Sequence, residues 1–326
     1  MRGRLGGIVL AALSTGLALW VVWQLGPLSP GPAPQGTIVQ GDGFPKVLID
    51  QSGRRVVLPQ KPARIVSVTL ATDEILLALV EPARLLAVTY LAVDEGVSNL
   101  PQAAAAVPHK IGADTEQIIA LEPDLIFVAS YTRGEVVKLL QDVGLAVFTF
   151  QEFESIPAIQ QNIRLIGQAV GEEAKAEALI AEMNARLHAV AARLPPEGSR
   201  PRVLYWGAPG YTGGAHTSLD DLITHAGGEN LAATHGLVGI RNISPEQVLA
   251  MNPEVIFTGG GSREAQAGLP AFVLHPALHT VDALRQERVF VLPRRYLVTI
   301  SQCIVDGVEE VARMLQAGPR RQGGRL

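Results

Sequence analysis

The sequence predicts an α/β protein of two lobes, each a mostly parallel sheet flanked by helices, joined by one long connecting helix. Three observations carry this. TEQIIALEPDLIFV at 115–128 recurs as PEQVLAMNPEVIFT at 245–258 without a gap, so Glu116, Pro123 and Phe127 fall on Glu246, Pro253 and Phe257. Each copy reads as a capped helix, a proline that stops it and a β-branched strand. Strand-like and helix-like segments alternate through both halves, the order that builds parallel sheets. Between the halves, residues 156–194 are Ala-rich, charged and helical in pattern, and they close at Pro195 and Pro196. A chain of 326 residues, 48% hydrophobic, can bury two cores, with lobes of roughly 120–150 residues.

Residues 1–45 differ in kind from the rest. After Arg2 and Arg4, Ile8–Leu25 is a run of 18 uncharged residues. As a helix it would span roughly 27 Å, near the thickness of a bilayer core. The arginines place the amino end in the cytoplasm and the body outside it. An uncleaved anchor is preferred to a cleaved signal, because small-x-small cleavage patterns are poor and no cysteine follows to take a lipid. The Pro- and Gly-rich run LGPLSPGPAPQGTIVQGDG is then expected to be a disordered tether.

The first lobe is expected over 46–155. Residues 47–62 read as a hairpin about Ser52-Gly53, an ornament at the edge. RIVSVT at 64–69 reads as a buried strand, and Thr72-Asp73-Glu74 as the start of a helix with Ile75, Leu76 and Leu79 on its apolar face. LLAVTY, the TEQIIALE helix, DLIFVAS, a helix from Gly134 to Val143 and AVFTF continue the alternation. A helical connector follows over 156–199. The second lobe, 200–317, repeats the pattern with RVLYWGAP, SLDDLITHAGG echoing the Thr72 helix, the PEQVLAMN helix, EVIFTGG, RVFVLP and the helix SQCIVDGVEEVARMLQ. Residues 318–326 are a polar, basic tail.

Composition and missing motifs exclude several functions. The net charge of −4, without a Lys/Arg stripe, gives no footprint for nucleic acid. Cys303 is the single cysteine, which rules out an intrachain disulfide and a cysteine-based metal or iron–sulfur site; it reads as a small buried hydrophobe. No Gly-Lys-Ser/Thr phosphate loop is present, and GGGSREAQ at 259–266 lacks the third glycine of a dinucleotide turn. His-Glu-x-x-His and Gly-x-Ser-x-Gly are also missing. Neither enzyme activity nor a cofactor is expected.

Four blocks in order carry a family resemblance: DQSGRRVVLPQKPARIVSVTLATDEILLALV, DTEQIIALEPDLIFV, HTSLDDLITHAGGENLA and ISPEQVLAMNPEVIF. Over about 47–317 the chain resembles the extracytoplasmic substrate-binding proteins of ABC importers for ferric siderophores, haem and cobalamin. The resemblance implies two α/β lobes joined by a long rigid helix, to which 172–194 is similar in place and composition. It also implies partners: a dimeric permease with its ATPase subunits, a small-molecule metal chelate, and the membrane through the amino-terminal segment, with the binder itself a monomer. In the family a glutamate on each lobe docks onto permease arginines, and the matching positions here are Glu116 and Glu246. Taken alone, each acid sits at the positive end of a helix, worth roughly 0.3–1 kcal/mol.

The resemblance places ligand between the lobes, against loops that follow strands. Those loops supply Tyr90, Lys110, Tyr131 and Arg133 from the first lobe. The second lobe supplies Trp206, Tyr211, His216, His235, Arg241, Arg294, Arg295 and Tyr296. Arginines suit an anionic ferric chelate, and aromatic faces suit catecholate, porphyrin or corrin rings, a mixture that leans to ferric siderophore. Histidine or tyrosine could also ligate haem iron or cobalt. The seven histidines lack the spacing of a preformed metal site, so zinc or manganese capture is a minor alternative. Lys110 stands where a tryptophan often precedes the glycine in cobalamin binders, which counts against a corrin. A nitrogenase-like oxidoreductase would need cluster cysteines, and a sensing or adhesion protein would have no use for both glutamates. A continuous connecting helix lacks hinge loops and permits only small closure.

Overall fold

A computed structural model describes residues 37–40, 43–112, 114–260, 273 and 276–316. The apolar Ile8–Leu25 segment and the 318–326 tail lie outside the described residues. Among the described residues no helix is long and apolar enough to cross a membrane.

The chain begins with a three-stranded antiparallel sheet of β1 (Thr37–Gln40), β2 (Lys46–Ile49) and β3 (Arg55–Leu58). β1 corrects the expectation of a tether running through this stretch: a short β-branched segment pairs with β2. Gly53, at φ 82°, makes the turn between β2 and β3. Asp50, buried at the end of β2, accepts the backbone amides of Ser52, Arg54 and Thr149, which fastens the hairpin to the first lobe.

The first lobe holds β4 (Ile65–Ser67), β5 (Leu85–Thr89), β6 (His109–Ile111), β7 (Leu125–Ala129) and β8 (Val147–Phe150), all parallel, in the order β6-β5-β4-β7-β8. Successive side chains of β7 serve opposite faces, as strand geometry requires. Leu125, Phe127 and Ala129 enter one core, Ile126 and Val128 the other. Phe127, Phe148 and Phe150 pack together, with ring centroids 4.9–6.0 Å apart.

The second lobe holds β9 (Arg202–Tyr205), β10 (Tyr211–Gly213), β11 (Glu229–Asn230), β12 (Ile240–Asn242), β13 (Val255–Gly260) and β14 (Val289–Pro293). Four of them form a parallel sheet in the order β11-β9-β13-β14, while β10 and β12 pair antiparallel beside it. Both sheets are parallel and helix-covered on two faces, as continuous apolar strands demand.

The expected long helix is Glu173–Ala191, 19 residues. The sequence before it forms a separate helix, Ile156–Val170, because Gly171 adopts a left-handed conformation at φ 69° and turns the chain. Basic side chains surround this corner, where the carbonyls of a helix end gather negative charge. Lys46 Nζ donates to the Gln168 carbonyl at 2.8 Å and pairs with Glu173. Arg84 donates to the Val170 carbonyl at 2.6 Å and to Glu172 at 2.8 Å. The first connector helix packs on the Leu70–Leu79 helix of the first lobe, the second on the Ile304–Gln316 helix that follows the second sheet. Arg186 links the latter pair, donating to Asp306 at 2.5 Å and to Glu309 at 2.6 Å. One continuous core runs from Phe127 and Phe148 through Ile163 and Ile180 to Phe257 and Val308, so the lobes share apolar packing.

Candidate functional site: the boundary between the lobes

The loops after the parallel strands of each lobe meet at a boundary crossed by one buried carboxylate, that of Glu74. Thr69 caps the first helix, accepting Thr72 N at 3.3 Å, so the helix starts at Leu70 rather than at Thr72. Asp73 and Glu74 therefore sit inside it and are fully buried. Asp73 accepts Thr89 Oγ1 at 2.5 Å and Thr89 N at 3.2 Å. Burial nevertheless pushes its carboxyl from 3.8 to about 7, outweighing the hydrogen bonds from Ser67 and Thr89.

Glu74 reaches the other lobe. Oε1 accepts Asn99 N at 2.7 Å and Asn99 Nδ2 at 3.1 Å; Oε2 accepts Thr299 Oγ1 at 3.0 Å and Ser301 Oγ at 2.5 Å. Gln302 Nε2 donates to the Glu74 carbonyl at 2.8 Å, and Asn99 Nδ2 also donates to the Arg295 carbonyl at 3.1 Å. Burial raises the Glu74 carboxyl, while Ser301, Asn99 and Thr299 pull it down. A second crossing mirrors this one. Thr217 caps the Ser218–His225 helix, and Asp221, four residues on as Asp73 is from Thr69, accepts Ile156 N at 2.6 Å at the start of the connector.

The sequence-derived ligand candidates separate into groups. Tyr90, immediately after β5, is 59% exposed, and its ring edge lies over Gly112. Tyr131 follows β7, tilts against Phe153 at 5.8 Å, and has its phenol pushed up to about 12 by burial. Tyr211 opens β10; its hydroxyl accepts the Tyr205 hydroxyl at 3.3 Å. Burial raises the Tyr205 phenol well above its usual range, with Arg294 acting in the opposite direction. Arg295 stacks on Tyr296 at 4.9 Å. His216 is held at φ 60°. It lies near enough to Glu154 of the first lobe to oppose the rise that burial and Glu152 cause in that carboxyl.

Other candidates have occupied side chains. Trp206 is only 2% exposed and fills the outer core of the second lobe with Leu204, Ile243 and Ile256, so the indole is a packing element rather than a loop aromatic. Lys110 lies on β6, and its ammonium donates to the carbonyls of Ala105, at 2.9 Å, and Val107. His235 Nδ1 meets the Leu231 carbonyl at 2.9 Å, one turn back. Arg133 and Arg241 are exposed, the first 3.3 Å from Glu135 and the second donating to the Ile240 carbonyl at 3.0 Å.

Glu116 and Glu246 occupy the same first-turn position of the two repeated helices, Thr115–Ala120 and Pro245–Met251, and both are exposed. Other residues serve the helix ends. Asp114 accepts the amides of Glu116 and Gln117, and Ser244 forms a reciprocal capping box with Gln247.

Two lobes of opposed parallel sheets, joined by a connector and meeting at the carboxyl ends of their strands, define a two-lobed binding protein. The chain belongs to the periplasmic binding protein family, whose profile matches residues 65–296. It is 29% identical over 279 residues to a cobalamin-binding protein of Halobacterium salinarum, covering 83% of this chain and 73% of that one. The haem-binding protein RhuT of Roseiflexus sp. RS-1 superposes with a TM-score of 0.66 at 26% identity, covering 77% of this chain and 97% of that one. A haem-binding protein of Pseudomonas aeruginosa gives 0.66 at 26% identity, with 80% and 96% covered.

Proposed function

We propose that this protein is the substrate-binding component of an ABC importer, capturing a metal chelate between its lobes and delivering it to a membrane permease without turnover. The observation that carries the reading is the pair Glu116 and Glu246. Each is exposed, on the same turn of a duplicated helix, and each cap is already satisfied by a neighbour. Two equivalent acids suit a partner with two equivalent subunits. The body is extracytoplasmic in this reading, held to the membrane by residues 8–25.

Tyr90, Tyr131, Tyr211, His216, Arg294, Arg295 and Tyr296 are the residues proposed to face the chelate. The arginines favour an anionic ferric siderophore. Cobalamin is the second reading, favoured by the 29%-identical relative that binds it. Titration with a ferric siderophore, haemin and cyanocobalamin separates them, read by calorimetry because Trp206 is buried. In the transport assay, Glu116→Lys with Glu246→Lys abolishes uptake and leaves ligand affinity intact; affinity lost together with uptake would overturn the docking role.

A further inference from the structure

We propose that Glu74 is a positioning residue that sets the angle between the lobes, and through it the spacing of the two docking glutamates. This rests on the transport reading for its consequence at the permease, but the geometry stands without it.

Glu74 belongs to the first lobe by sequence and helix, yet both hydroxyl donors to Oε2, Thr299 and Ser301, belong to the segment leading into the last helix of the second. Oε1 is filled from its own side by Asn99, which also holds the Arg295 carbonyl. Four donors satisfy the acceptor sites of one carboxylate, and the backbone carbonyl of the same residue takes Gln302. A flat apolar contact permits sliding, whereas a buried carboxylate with fixed donors on two bodies permits one arrangement. Any rotation of the lobes would strand a buried polar carboxyl without its partners and out of water. Thr299, Ser301 and Glu74 are each no more than 2% exposed, so water cannot replace a lost partner without the boundary opening. The Asp221 bond to Ile156 N ties the second lobe to the start of the connector, whose first helix packs on the first lobe, and so gives a second fixed point. Two such points restrain rotation where one would act as a pivot.

The test places spin labels at the repeat-equivalent positions Ala120 and Ala250, both exposed, as Ala120→Cys with Ala250→Cys. Cys303 is buried and stays unlabelled. Pulsed dipolar spectroscopy on the isolated full chain is expected to give one narrow distance distribution. Glu74→Ala broadens it. Thr299→Val with Ser301→Ala, which leaves Glu74 in place but removes the donors to its carboxylate across the boundary, broadens it as well. Glu74→Gln retains the narrow distribution, since the amide keeps an acceptor for Asn99 and the two hydroxyls can turn to accept from it. If Glu74→Ala fails to fold, judged by far-ultraviolet circular dichroism, the double variant decides. A narrow, unshifted distribution in a folded Thr299→Val/Ser301→Ala protein overturns the proposal. The measurement needs neither permease nor chelate, so uptake that survives the reversal of Glu116 and Glu246 would remove the docking role and leave the positioning role standing.

Discussion

Asp73→Asn tests how dry the pocket of first-lobe residues around this carboxyl is. Ser67, Thr89, Tyr131 and the like-charged Glu74 surround the Asp73 carboxyl, and burial lifts it from 3.8 to about 7. Between those values the folded protein holds a proton that the unfolded chain has released. Unfolding therefore becomes easier as pH rises through that window, and the dependence ends above about 7, where both states are ionised. The full displacement corresponds to an upper limit of about 4 kcal/mol, accumulating at no more than about 1.4 kcal/mol per pH unit. Asp73→Asn cannot titrate, and its carboxamide keeps an acceptor for the Thr89 amide. Glu74, raised in the same direction, remains in both proteins and drops out of their difference to first order. Urea unfolding followed by circular dichroism from pH 4 to 8 gives the two stabilities. The variant should gain on the parent steadily up to about pH 7 and hold its advantage beyond. A difference that does not change with pH would mean that Asp73 titrates normally and that the site is wet.

The connector and the lone thiol supply two further predictions. Gly171→Ala forces a side chain into the left-handed region and brings its Cβ within 2.9 Å of Phe44 Cε2; it should cost at least about 1–2 kcal/mol, and an unchanged urea midpoint would contradict the tight corner. Cys303 is buried and its thiol is raised far above the ordinary value by burial and by Glu74. Maleimide should label it only as the protein unfolds, and rapid labelling of the native state would contradict its placement.

Much of the architecture was legible from local pattern. The repeat at 115 and 245 has a proline after each helix and a β-branched run after each proline, and periodicity of that kind is fixed by neighbours in sequence. Gly171 was visible as a residue but not as a break, because an Ala-rich run with good helix formers on both sides masks a single left-handed glycine. The site was less legible. Asp73 and Glu74 look like solvated acids in the first turn of a helix. What buries Glu74 is the Thr299–Gln302 segment, more than two hundred residues away, and spacing along the chain says nothing of that meeting. Trp206 was misplaced for the opposite reason: it follows a strand directly, and a side chain there can still turn into the core.

Among the described residues the chain passes from one lobe's sheet to the other's only once. Every strand of the five-stranded sheet lies before residue 151 and every strand of the four-stranded sheet after 201. A cut in the exposed turn at Gly198-Ser199 therefore divides the molecule into two pieces that each keep a whole sheet, and it severs no strand pairing. What would reunite them is the shared apolar core and the carboxylate bonds across it. Separate expression and reconstitution of the halves is thus compatible with this topology, as is exchange of one half for that of a relative. The single polypeptide thus carries two α/β units in series, each closed on its own parallel sheet.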